Sequence, residues 1–194
     1  MLEPRRRVGV LCVAAPRRQF TLDKAGSVRH RITFIAPNSR STAEQLRAAI
    51  LVGGSIAGVL DISYAILFSG WRGVPAERLL QSVASGLLGA SAFAGGWPVA
   101  ALGLFLHFTI AFAWAAIFYL VARRFPILCK RAIYAGVIYG LFIYGMMNLV
   151  VLPLSAFPRK VTFPPLVLAT GLLVHMFCIG LPIALATRRA FERH

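Results

Sequence analysis

From Arg47 onward the chain alternates between apolar runs of about twenty residues and short polar breaks. At about 1.5 Å per helical residue, such a run covers a hydrocarbon core of about 30 Å. Four runs predict four membrane spans, at about 47–69, 98–121, 132–155 and 166–187. The first has a defined start. Ser41, Thr42, Ala43 and Glu44 match a capping box, in which the serine hydroxyl and the glutamate carboxylate satisfy orphan amides of the first turn, so the helix begins there and runs through Arg47. Pro98 opens the second span where a missing N–H is harmless. Pro182 lies inside the fourth, which predicts a kink and a carbonyl freed one turn back.

Between the first two spans, residues 75–93 place Leu79, Leu80, Val83, Leu87, Leu88 and Phe93 on one helical face, with Glu77, Arg78, Gln81, Ser82 and Ser85 elsewhere. This predicts an amphipathic helix on the outer membrane surface or against the bundle, not a fifth crossing. Residues 1–40 hold nine Arg or Lys and keep neither a 3.6-residue nor a two-residue period, which predicts a disordered basic tail. The opening MLEPRRRVGVLCVAAP has the outline of a leader, but its apolar run is eight residues and Arg17 and Arg18 follow directly, so the tail reading prevails. The expected architecture is all-α: a polytopic four-helix membrane bundle over residues 41–190 with the amphipathic helix added on its outer side.

Composition agrees. The chain is 58% apolar and 14% charged, against roughly 25% charged in soluble domains. Of 21 Lys and Arg, seventeen fall on the side of the two termini and the 123–131 loop, and four (Arg72, Arg78, Arg159, Lys160) on the other. The positive-inside rule therefore predicts both termini cytoplasmic, with Trp71 and Trp97 at the outer interface. The net charge of +15 suits an anionic inner leaflet, and the expected partner is the lipid bilayer, with no nucleic acid. Cys12, Cys129 and Cys178 form no CxxC pair and imply neither a disulfide framework nor a thiolate metal site.

Each span carries one conspicuous polar residue: Asp61, His107, Asn148 and His175. They lie eight, nine, seven and nine residues from the predicted outer helix ends, a common depth of about 10–14 Å. Interhelical hydrogen bonds of about 0.6–2 kcal/mol account for many such residues as packing glue. An aspartate at mid-helix costs about 2.5–3.5 kcal/mol, more than one such bond returns, so the set is also read as a proton, ion or substrate site. Two further chemistries fit these residue types. His107 and His175 could ligate a haem b iron axially, with Gly171 leaving room for the macrocycle. Asp61, His107 and His175 could hold a divalent metal, although no fixed-spacing motif accompanies them. No catalytic motif appears, and neither cofactor is the leading expectation.

Gly54 and Gly58 form GxxxG on the first span, with Asp61 within about 60° of that face, and Gly136 with Gly140 repeats it on the third. Helix packing is the expected role, extending to a homo-oligomer. The loop 152–165 is proline-rich and basic and reads as a stiff, solvated connection.

The AGV patch of the first span, ARRFPIL closing the second, GVIYG and the exit VVLPLSAFP of the third, and a fourth span with a histidine before terminal arginines together resemble small bacterial inner-membrane proteins of the YagU-like type, over about residues 47–190. The resemblance implies a bacterial inner-membrane location and no defined biochemical activity. Asp61 and the long tail are not carried by it.

Overall fold

The computed structural model describes residues 19–22, 28–31, 41–160 and 162–192, which fall into two units. In the first, β1 (Gln19–Leu22) and β2 (Val28–Arg31) pair antiparallel, with Gln19 opposite Arg31 and Leu22 opposite Val28. The sequence predicts no structure here. The eight residues include Phe20, Thr21 and Val28, types that favour strands, and the pairing needs no long periodic run. The rest of residues 1–40, with the leader-like opening, lies outside the described residues.

The second unit is all-α. It comprises α1 (Thr42–Trp71), α2 (Ala76–Leu88), a 3₁₀ turn (Gly89–Ala94), α3 (Gly96–Arg124), α4 (Ile127–Lys130), α5 (Ala132–Met146), a π-helical segment (Met147–Val151), α6 (Leu152–Leu154), α7 (Pro165–Val174), a second π-helical segment (His175–Gly180) and α8 (Leu181–Glu192). Four continuous helices, Ala43–Trp71, Gly96–Arg124, Ala132–Leu154 and Pro165–Glu192, are long and apolar enough to cross a membrane, the arrangement of a multi-pass membrane protein. The capping box forms as the sequence predicts: Ser41 N–H donates to the Glu44 carboxylate at 2.9 Å, and Glu44 N–H to the Ser41 hydroxyl at 3.2 Å.

Small residues lie inside and large apolar ones outside. Ala57, Ala115, Ala122 and Ala184 are almost wholly buried, whereas Leu67 and Leu154 are 74% and 82% exposed. A bundle in lipid gains nothing by hiding leucines and gains contact by letting backbones approach. α1 packs between α3 and α8, and α5 packs on the second π segment and α8. α3 and α5 stand further apart and are joined by large side chains. The Tyr139 hydroxyl donates to the Trp114 carbonyl at 2.8 Å, and the Phe118 and Tyr139 rings meet at 4.9 Å. At the end where α1 begins and α8 finishes, Ala49, Tyr119 and Ala190 close the bundle.

α2 lies against α3, with its Leu80 carbonyl where a side chain at Gly103 would stand. Its buried face is not the one the leucine pattern predicts. Leu80, Ala84, Gln81 and Ser85 face inward, while Leu87 is 63% exposed. The hydrogen bonds explain the rotation: the Gln81 side-chain amide donates to the Gly96 carbonyl and the Glu77 carboxylate, each at 3.2 Å, and the Ser85 hydroxyl to the Ser82 carbonyl at 2.7 Å. With these polar groups satisfied, the larger leucines are free to turn outward. Gly89, at φ +64°, ends α2, and Ala156 N–H donates to the Gly86 carbonyl at 2.9 Å, tying the loop after α6 onto it.

Cys129, in the short α4 between spans, packs against the main core. Burial raises its thiol pKa, the Glu192 carboxylate adds to this, and Arg188 opposes it. In a Cys12→Ser, Cys178→Ala background, maleimide labelling of folded Cys129 is expected to be slow at pH 7. Its rate should still climb at a pH where the rate in denatured protein has levelled off, because only thiolate reacts. Coinciding pH–rate curves would contradict this environment.

Candidate functional site

Asp61, His107, Asn148 and His175 all line one chamber of about 500 Å³. Its deep end is formed by Ala57, Trp114 and Ile179, and the end toward the 155–164 loop by Ser82 and Gly86 of α2 with Phe157. Below the deep end, Ala115, Phe118 and Ile183 fill the bundle. The wide α3–α5 gap supplies the volume, and α2 and Phe157 of the loop border its open end.

His107 is placed by the glycine face of α1. Gly54 and Gly58 leave the room that the Phe112 and Phe108 rings of α3 occupy, and this close approach brings His107 Nε2 to 3.0 Å from the Gly58 carbonyl. A carbonyl only accepts, so Nε2 carries the proton and Nδ1 is left toward Asp61. His107 Nδ1 and Asp61 Oδ2 are 4.0 Å apart, with side chains 13% and 22% exposed. That distance is beyond a direct hydrogen bond but within ion-pair range. With one proton between them the pair is a carboxylate facing an imidazolium or a carboxylic acid facing a neutral ring; with none, two acceptors face each other.

His175 reaches the chamber through a backbone-to-backbone crossing. Gly140 of α5 lies directly against the His175 carbonyl, and Gly180 against the backbone at Gly136 and Gly140. His175 Nδ1 donates to the Gly171 carbonyl at 2.9 Å, which leaves Nε2 as the proton acceptor. Asp61 and His107 both lie within Coulombic range of this ring. The Asn148 amide donates to the Tyr144 carbonyl of its own helix at 2.9 Å. The four glycines are thus filled within the chain, so contacts between copies would need other faces.

None of the four polar side chains hydrogen-bonds another. The one interhelical hydrogen bond they make among the described residues is His107 to Gly58. The space beside Gly171, expected to admit a macrocycle, receives the Tyr144 ring, which also meets His175 edge-on at 5.1 Å. Among the described residues, no three His, Cys, Asp or Glu side chains cluster closely enough to hold a metal ion.

Two features of the site leave little trace in the sequence. Asn148 and His175 both sit in π-helical segments, each ending two residues before a proline, Pro153 and Pro182. Proline removes an N–H and crowds the carbonyl four residues back, and a widened turn relieves both. The predicted kink at Pro182 is therefore a π segment with His175 at its head. The second feature is α2, whose Ser82 and Gly86 line the chamber; their small size was the available signal. Compared with protein-family models, curated proteins and solved structures, the chain matches none of them.

Proposed function

We propose that the protein is an integral membrane carrier in which a small, largely apolar solute occupies the chamber and the Asp61, His107 and His175 set exchanges a proton with its passage. One observation carries this reading: four polar side chains from four spans face a shared volume with no hydrogen bond among them, the nearest contact being the 4.0 Å ion pair of Asp61 with His107. Packing glue would spend these groups on interhelical bonds. About 500 Å³ lies within the range of small-molecule sites, which are mostly apolar with a few convergent polar groups. Imidazole is the side chain whose ordinary titration falls between about pH 5 and 8, and two acceptor nitrogens, His107 Nδ1 and His175 Nε2, are available beside a carboxylate.

In this reading the chamber opens toward the 155–164 loop and is sealed beyond Ile179, so passage needs the helices to part at their far end. We take the loop side as the outer face, from the positive-inside count, and a bacterial inner membrane as the setting, from the YagU-like resemblance. A cysteine replacing exposed Lys160 is then expected to react with an impermeant maleimide added outside intact cells; labelling only after lysis would reverse the orientation. Haem between the two histidines would require His107 to release Gly58, and an absorbance spectrum lacking a Soret band discards it.

The function itself is tested in liposomes holding the full chain and a trapped pH dye. An imposed pH gradient is expected to dissipate faster than in protein-free liposomes, with a rate that changes when a candidate solute is added. Identical decay with and without protein, across a solute panel, would overturn the proposal.

A further inference from the structure

A second cavity of about 500 Å³ adjoins the chamber and shares Asn148, Leu152 and Phe157 with it. Its remaining wall includes Arg159 and Lys160. The Arg159 guanidinium is held over two aromatic rings, 5.5 Å from the centre of Phe93 and 5.7 Å from that of Phe157. Arg78 stacks on Phe93 as well, at 4.4 Å, with its Nη1 donating to the Phe93 carbonyl at 3.0 Å. Among the described residues none of these three cations has an acidic partner; the ion pairs present are Asp61 with His107 and Arg188 with Glu192. Unpaired basic groups thus stand at the entrance of an apolar space, with a carboxylate further in.

We infer that the ligand of this site is a single-chain amphiphile with one anionic head, its head on Arg159 and Lys160 and its apolar chain in the chamber. This rests on the reading of the chamber as a solute site and names the solute's class. The orientation follows from charge. Arg159 and Lys160 attract an anion, Asp61 repels one, and Phe157, common to both cavities, offers the chain a continuous apolar wall. Aromatic stacking holds the Arg159 side chain in place before the ligand arrives, which lowers the ordering cost of binding. The shared chemistry covers a fatty carboxylate and a single-chain phosphate monoester released from lipid.

Trp114 lines the chamber and makes the test direct. In a Trp71→Phe, Trp97→Phe background it is the sole tryptophan, and both replaced residues are exposed. Purified full-length protein is titrated with 11-bromoundecanoate or 11-bromoundecanol, then with a single-chain lysophosphatidate, inorganic phosphate or dodecyltrimethylammonium as competitor. Expected results are saturable quenching by the bromo acid, displacement by lysophosphatidate and none by inorganic phosphate or the ammonium. Arg159→Gln with Lys160→Gln should weaken the bromo acid by about tenfold or more and leave the bromo alcohol unchanged. Equal binding of acid and alcohol, indifferent to that double substitution, overturns the anionic head while leaving the chamber as a solute site. No saturable quenching by either bromo compound overturns both readings. Displacement by inorganic phosphate alone overturns the amphiphile.

Discussion

Asp61→Asn is expected to reduce pH-gradient dissipation in liposomes to the protein-free level without lowering the amount of folded protein. The tautomer of His107 dictates this outcome. His107 Nε2 is committed to the Gly58 carbonyl, so Nδ1 is its only variable nitrogen, and Asp61 is the group facing it at 4.0 Å. Asparagine keeps the shape and can present an N–H to Nδ1, but it cannot gain or lose a proton near neutral pH. The pair would be held in its protonated arrangement. Asp61→Glu restores a carboxyl group on a longer arm and should recover part of the flux. Full flux in Asp61→Asn would remove Asp61 from the mechanism.

Gly140→Ala should be strongly damaging, and Gly145→Ala, five residues on in the same span, should be harmless. A Cβ at Gly140 would meet the His175 carbonyl and the Met176 backbone, neither of which can swing aside as a side-chain tip can. Overpacking of this kind typically costs about 1–3 kcal/mol. The crossing also holds His175 in the chamber, so the substitution should impair flux as well. At Gly145 nothing lies within 4 Å, and alanine gains up to about 1 kcal/mol of helix propensity. Thermal unfolding of the two variants in detergent should rank them clearly. Equal stability would mean that α5 and the fourth span do not meet at Gly140.

The four spans were legible because their signals are local: run length, the Ser41 capping box and charges at the edges. The common depth of Asp61, His107 and His175 also survives. They lie ten, eleven and ten residues from the chamber-side ends Trp71, Gly96 and Pro165, about 15 Å along each axis. Asn148 lies only six from Leu154 and leaves that layer, because α6 ends one residue sooner than predicted while the other three helices run one or two residues further. What sequence did not reveal depends on neighbours. The face of α2 follows from partners for Gln81 and Ser85, which a hydrophobic pattern cannot supply. Nor does GxxxG say whether its groove will hold another backbone, as at Gly140, or phenylalanine rings, as at Gly54 and Gly58. The chamber itself is the space left where α3 and α5 fail to approach, and no residue pattern records a space.

If Asp61 and His175 serve the chamber and not the packing, apolar replacement shows it most directly. Asp61→Leu and His175→Leu are compared with the unmodified protein by thermal unfolding in detergent. If these groups face the chamber, the melting temperature should stay within about 2 °C or rise, since an intramembrane polar group is costly to keep and leucine is not. A fall of about 5 °C or more in either variant would show that the side chain holds helices together, and would contradict the account.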